Sequence, residues 1–185
     1  EVICGGSGIE GLANLGTFQR RRLIEELDGL QDRADVIIID TGAGIHSTVI
    51  GFCLAADHTL IITTPEPTAM TDAYAMIKVL ASKKYTGRIS LLVNMAQSMA
   101  EGKKIYRQIA DVASRFLDMA IYEAGVLCRD EAVPQAVRKR EPVVMAFPKA
   151  DVSRTFRTIC HRLTNGSARK AGNDGFFKRV ANWLF

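Results

Sequence analysis

Short unbroken apolar runs alternate along this chain with stretches whose apolar residues recur every three or four positions. Residues 36–39, 59–63, 89–93, 120–122 and a brief 126–128 are of the first kind. They are apolar throughout rather than at every second position, which predicts strands covered on both faces. Helices are predicted where the spacing changes. One starts near Thr17 and ends around Gly29, with Phe18, Leu23, Ile24, Leu27 and Leu30 on one side; another spans 68–84, with Met70, Ala73, Tyr74, Ile77, Leu80 and Ala81 aligned; a further one covers 152–163. The clearest start signal is Ser98-Met-Ala-Glu101, a capping box whose apolar stripe continues through Ile105, Ile109, Val112, Ala113 and Phe116. Strand and helix in regular alternation predict right-handed crossovers, hence an α/β fold with a doubly wound, mostly parallel sheet flanked by helices. In such sheets ligands sit at the carboxyl ends of the strands, where Asp40, Thr64 and Asn94 fall.

Composition narrows this picture. A 185-residue chain with 48% hydrophobic residues suits one domain with a real core. It opens at Glu1 and runs straight into Val-Ile, so an N-terminally truncated fragment is expected. The four cysteines, Cys4, Cys53, Cys128 and Cys160, are scattered without a Cys-x-x-Cys pair, which points to a reducing cytoplasm rather than a disulfide framework. No apolar run approaches the ~20 residues of a membrane-spanning helix. The net charge of +4 is unevenly placed: residues 152–185 hold seven Lys/Arg against Asp174 alone, which leaves residues 1–151 at −2. A basic tail beside a nearly neutral body suits a local anionic partner, not a nucleic-acid groove over the whole domain. The compact α/β body, residues 1–163, gives way to a Gly/Ser/Asn/Lys-rich linker over 164–174 and then to an amphipathic segment, 175–185.

The candidate chemistry starts at Asp35-Val-Ile-Ile-Ile-Asp-Thr-Gly-Ala-Gly-Ile45, a β-branched run ending in one acid and a turn of small residues. In P-loop ATPases such a strand-end Asp holds the Mg²⁺ shell, and small residues beyond it let backbone N–H groups approach the terminal phosphate. Asp40 alone is equally an ordinary acid capping a turn. The four apolar residues before it and Thr41-Gly42-Ala43-Gly44 after it favour the phosphate reading. The turn Thr63-Thr-Pro-Glu-Pro-Thr-Ala-Met-Thr-Asp72 reads by itself as a Pro-bounded loop with Thr or Asp capping a helix. Asn94 either caps a loop or reads an adenine edge with its paired donor and acceptor. Gly5-Gly-Ser-Gly8 lacks the Lys of a Walker loop and reads as a tight turn. Neither Gly-x-x-x-x-Gly-Lys-[Ser/Thr] nor Lys-Gly-Gly-x-Gly-Lys occurs in the chain. His46, His58 and His161 have no partner at metal-ligand spacing, and no nucleophile elbow is present, which argues against zinc and triad chemistry. On a helical wheel Phe176, Phe177, Val180, Ala181, Trp183 and Leu184 share one arc and Lys178, Arg179 and Asn182 the other. Such a helix suits an anionic lipid interface, the alternative being a last helix packed on its own domain.

Taken together, Gly5-Gly-Ser-Gly-Ile-Glu-Gly-Leu-Ala-Asn-Leu15, Asp40-Thr-Gly-Ala-Gly-Ile45, Thr64-Pro-Glu-Pro-Thr-Ala-Met-Thr-Asp-Ala-Tyr74 and Ala132-Val-Pro-Gln-Ala-Val-Arg-Lys-Arg-Glu-Pro142 resemble the MinD/ParA group of deviant-Walker ATPases, most of all its flagellar branch, the FlhG (FleN, YlxH) proteins. The resemblance covers essentially the whole chain, and its most specific element is the Pro-Glu-Pro-Thr…Asp-Ala-Tyr string. It implies a MinD-like P-loop NTPase fold that binds ATP with Mg²⁺, forms a homodimer across the nucleotide, and regulates flagellar number or placement by reversible binding to the inner face of the cell membrane. It further implies a flagellar assembly partner, an FlhF-like GTPase or a switch component, and no specific nucleic acid. Position by position, Asp40 becomes the catalytic, Walker B-like acid that meets Mg²⁺ through water. Gly42, Ala43 and Gly44 become the γ-phosphate switch, Asn94 the adenine contact, and Arg129 and Asp130, after Cys128, the frame of the base. Phe176, Phe177, Lys178, Arg179, Val180, Trp183 and Leu184 become the membrane helix. Cys128 and Glu131 depart from the family's usual Pro. The family's phosphate loop and switch Asp are expected upstream of Glu1, so the chain alone is expected not to hydrolyse ATP. Two other readings use the same residues: a non-enzymatic membrane-associated adaptor that retains the fold, and a ParA-type partitioning ATPase.

Overall fold

The computed structural model describes residues 34–165 together with Val2, Phe18, Arg22, Glu26, Gly29, Phe176, Phe177, Arg179 and Val180. The chain divides into two units, Asp40–Lys170 and a second comprising Glu1–Ile39 with Ala171–Phe185.

In the larger unit the order is α1 (Ser47–Ala55), β1 (His58–Thr63), α2 (Pro67–Ser82), β2 (Arg88–Ala96), α3 (Met99–Leu117), β3 (Ile121–Cys128), α4 (Ala132–Lys139), α5 (Val143–Ala146) and α6 (Asp151–Asn165). The strands lie side by side as β1-β2-β3, and both pairings are parallel, with Thr63 opposite Val93 and Val93 opposite Val126. Their carboxyl ends therefore open on one side. Helices cover the sheet on two faces. Ile61, Ile89, Leu91 and Val93 pack against Ala73, Ile77 and Leu80 of α2 and Ile105, Ile109 and Ala113 of α3. On the opposite face Leu92, Ala124 and Leu127 meet Val152 and Ile159 of α6. The α/β class with a parallel, helix-flanked sheet is borne out.

Local chemistry explains the element boundaries. The capping box starts α3: Ser98 Oγ accepts the Glu101 amide at 3.2 Å, while Glu101 Oε2 accepts the amide of Gln97 at 2.7 Å. Asp118 in the left-handed region ends the helix. Gly102 brings α3 against β3, because a Cβ there would lie 2.7 Å from Val126 Cγ2 and closer still to Cγ1. The segments expected separately at 120–122 and 126–128 are one strand. Leu91 pairs with Glu123 and Leu92 with Gly125, so Ala124 is an extra residue taken up as a bulge. Gly125 has φ +157°, and a Cβ on it would sit 2.8 Å from Ile159 Cγ1, so α6 also approaches β3 closely.

Two expectations are corrected. Residues 36–39 are not a strand, and Val36, Ile37 and Ile38 are exposed by 53%, 41% and 88%. A β-branched run becomes a buried strand only when a neighbour completes its ladder, and propensity cannot supply that. β1 is not covered on both faces: α6 packs over β3 and Leu92, and Leu60 and Ile62 stay exposed. Helices α1, α4 and α5 were not anticipated. In α1, Ser47-Thr-Val-Ile-Gly-Phe-Cys-Leu-Ala55, apolar residues occupy every side, so no 3.6-residue period shows.

In the smaller unit Phe18, Arg22 and Glu26 are helical, and an exposed pair joins Arg22 Nε to Glu26 Oε1 at 3.1 Å. The rest of the helix expected from Thr17, and the Gly5–Gly8 turn, lie outside the described residues.

Candidate functional site

The carboxyl ends of β1, β2 and β3 bring three chain segments to one side of the sheet. At the end of β1, Thr63 is buried and its Oγ1 donates to the carbonyl of Thr64 at 3.3 Å. Thr64 Oγ1 is buried with no hydrogen-bond partner among the described residues. A buried orphan hydroxyl is costly unless something else completes it. The expected Thr or Asp cap of the next helix is not made. Glu66 is the N-cap without a side-chain bond, and Pro67, with its fixed φ and no N–H to satisfy, opens α2. Thr71 Oγ1 instead donates back to the Pro67 carbonyl at 2.9 Å.

At the end of β2, Asn94 Oδ1 accepts the amide of Met95 at 2.9 Å, and its Nδ2 makes no hydrogen bond among the described residues. Asn94 thus acts as a local loop brace on its acceptor side and keeps both amide donors available. Met95 sits at φ +57°, an unusual conformation for a long side chain. This turn is held from β3: the Arg129 amide donates to the Ala96 carbonyl at 2.9 Å, and Arg129 Nε donates to the Met95 carbonyl at 3.3 Å. Beside it, Asp130 Oδ1 accepts the Ala132 amide at 2.9 Å and Oδ2 accepts the Val152 amide at 3.1 Å. The structure therefore brings Asn94, Arg129 and Asp130 together, with Arg129 and Asp130 holding the loop between them.

Asp40 is exposed and takes no hydrogen bond among the described residues. A Cβ on Gly42 would meet nothing within 4 Å, so open space faces the backbone there. Gly44 has φ +98°, a conformation that favours glycine, and its Cβ position lies 3.4 Å from the His46 ring. No hydrogen bond among the described residues joins the turn of Asp40, Gly42, Ala43 and Gly44 to Asn94, Arg129 or Asp130. The donor set nevertheless fits an Mg²⁺–adenine nucleotide: a free carboxylate for a hard cation's water shell, open backbone at Gly42, an orphan hydroxyl at Thr64 and free amide donors at Asn94.

At the amino ends of the strands, His58 Nε2 lies 2.8 Å from Ser90 Oγ. Burial, reinforced by the neighbouring Arg88 charge, pulls the His58 pKa down. The Arg88 guanidinium stacks 4.2 Å from the centroid of Tyr122. In the smaller unit Phe176, Phe177, Arg179 and Val180 are helical. The two Phe rings meet edge-on at 5.0 Å and are half-buried, and Val180 is 7% exposed. Lys178, Trp183 and Leu184 lie outside the described residues. No helix among the described residues is long and apolar enough to cross a membrane.

No protein-family profile matches the chain. It is 36% identical over 162 residues to the antiactivator FleN of Pseudomonas aeruginosa, a match covering 88% of this chain and 58% of FleN. It is 30% identical over 190 aligned positions to the flagellum site-determining protein YlxH of Helicobacter pylori, covering 99% of this chain and 64% of YlxH. The septum site-determining protein MinD of Synechocystis is 32% identical over 146 residues, covering 78% of this chain and 52% of MinD. The chain thus spans less than two thirds of the length of each. A parallel sheet flanked by helices, with loops at the carboxyl ends of its strands, is consistent with the α/β fold of the P-loop NTPase type. The chain belongs to the MinD/ParA-type family and within it is similar to the flagellar FleN and YlxH proteins.

Proposed function

We propose that this protein is an ATP-binding regulator of flagellar number or placement that acts by ATP-dependent homodimerisation and reversible binding to the inner face of the cell membrane. The observation that carries the reading is the loop pair at the ends of β2 and β3, where Arg129 ties the two strand ends together and leaves the Asn94 amide donors free for a base. Asp40 would hold the water shell of Mg²⁺, and the small residues Gly42, Ala43 and Gly44 would let backbone amides approach a phosphate oxygen. Bound Mg²⁺ supplies charge neutralisation at the phosphates. Helix α6 runs on through Thr164 and Asn165, two positions into the stretch expected as linker, and the amphipathic segment at 175–185 is the part of the chain proposed to bind lipid. Each aromatic it buries contributes about 1.5–3 kcal/mol and each cation about 1 kcal/mol on an anionic leaflet. Because Val180 is buried, lipid insertion competes with that packing, which makes the attachment reversible; pairing two helices in a dimer strengthens it by avidity. An FlhF-like GTPase or a flagellar switch component is the partner proposed for the dimer.

Two measurements on the intact protein test this reading. Mg²⁺-dependent ATP hydrolysis is expected to vanish in Asp40→Ala, and unchanged hydrolysis refutes the role of Asp40. Co-sedimentation with liposomes is expected to grow with anionic lipid and to be lost in Trp183→Glu; equal pelleting of both proteins removes the membrane claim. Lipid binding without any nucleotide binding would leave the adaptor reading in place of the ATPase.

A further inference from the structure

Helix α6 starts without a capping side chain of its own. Its N-cap is Ala150, whose carbonyl accepts the Arg154 amide at 3.1 Å, and alanine has no oxygen to offer the orphan amides of the first turn. The acceptor comes from elsewhere in the chain. Asp130, in the loop after β3, gives Oδ2 to the Val152 amide at 3.1 Å while its Oδ1 holds the Ala132 amide at 2.9 Å. One carboxylate therefore caps α6 and fixes the loop that leads into α4. Arg129, the adjacent residue, fixes the same loop to the end of β2 through the Met95 and Ala96 carbonyls.

We propose that Asp130 is a positioning residue that couples occupancy of the carboxyl-end loop to the first turn of α6. It does so through its two charge-assisted hydrogen bonds. The coupling part rests on the nucleotide reading above. Each carboxylate oxygen already accepts one backbone amide, which gives Asp130 this bracing role beside the base-framing role that the resemblance implies for it. A ligand that orders the loop orders the carboxylate, and the carboxylate orders the start of α6. Linkage makes the effect reciprocal, so a disturbance of α6 weakens loop binding by the same factor.

The test is amide hydrogen exchange on the intact protein, read over residues 129–134 and 150–155, with and without Mg²⁺-ATP. In wild type, nucleotide slows exchange in both segments. In Asp130→Ala, which removes both acceptors, ligand-free exchange rises roughly tenfold or more in these segments, the loss of charge-assisted bonds. Nucleotide then protects 129–134 alone and binds about tenfold more weakly. Asp130→Ala combined with Ala150→Ser gives α6 a local cap, which restores its ligand-free protection but not its response to nucleotide. This double variant also serves if the single one folds poorly. If 150–155 still responds to nucleotide in Asp130→Ala as in wild type, the coupling is overturned. If wild type binds no nucleotide, the functional reading fails on its own. The brace is then decided by ligand-free exchange, and equal rates in wild type and Asp130→Ala overturn it.

Discussion

Replacing Gly102 by alanine places a methyl group where α3 meets β3. The added Cβ falls 2.7 Å from Cγ2 of Val126 and nearer still to Cγ1, and Val126 is 1% exposed with a branched side chain that has no free rotamer to turn into. Either α3 lifts from the sheet or Val126 is forced off its rotamer. Overpacking of this kind costs about 1–3 kcal/mol, and alanine returns about 1 kcal/mol through helix propensity, so the single variant should lose about 0–2 kcal/mol. Val126→Ala alone removes two buried methyl groups and should cost about 1.5–2.5 kcal/mol. In the double variant the new methyl fills the space vacated by Val126, and the total should fall about 1–2 kcal/mol short of the sum of the singles. Urea unfolding followed by far-UV circular dichroism on the four proteins closes the cycle. Gly102 lies one turn into α3, directly after the loop that carries Asn94, so a lifted helix also displaces the candidate base site. Additivity within about 0.5 kcal/mol would refute the close-packing argument.

Ser98→Ala removes the acceptor for the Glu101 amide and should cost about 1 kcal/mol in the same unfolding assay, while Glu101→Gln, which keeps an acceptor for Gln97, should cost little. For His58 the folded pKa lies below the ordinary 6.5 because burial, and then Arg88, disfavour the cation. The unfolded chain binds the proton more readily, so the stability contribution is complete above pH 6.5 and declines as pH falls toward the folded value. Replacing His58 with Asn should flatten the dependence of the urea midpoint between pH 7.5 and 5, and an unaltered slope would count against this assignment. Burial raises the pKa of the Cys53 thiol despite its contact with Thr59, whereas Cys160 is exposed. Brief iodoacetamide treatment with peptide mass mapping should therefore modify Cys160 well before Cys53, and the opposite order would contradict the packing around α1.

Interactions confined to a few neighbouring residues were the ones readable in the chain. The Ser98–Glu101 box spans four positions; Ser98 caps the Glu101 amide as expected, and Glu101 accepts the Gln97 amide rather than that of Ser98. The run Ser90-Leu-Leu-Val93 marked a central strand because both its faces are buried, and the strand continues to Ala96. Residues that owe their role to distant partners were not readable. The bond from Val152 to Asp130 crosses 22 positions, and nothing near Ala150 announces that the cap of α6 is supplied from the loop after β3. The runs at 120–122 and 126–128 read as separate in the sequence, since the register shift that absorbs Ala124 is a property of the pairing with β2. The run at 36–39 fails in the opposite sense: its propensity is strong, but a strand is defined by its neighbour, and Val36, Ile37 and Ile38 stay exposed. Family resemblance implies that Arg129 and Asp130 frame the base, and their hydrogen bonds add what holds that loop in place.

The claim on which the rest depends is that the adenine of ATP lies between the ends of β2 and β3. Photolabelling of the intact protein with 8-azido-ATP and Mg²⁺, followed by peptide mass spectrometry, tests it most directly. The account predicts a label confined to Asn94, Met95 and the loop of residues 128–131, suppressed by excess ATP. A competable label at the opposite ends of the strands, around Asp57 or Lys84, would contradict it.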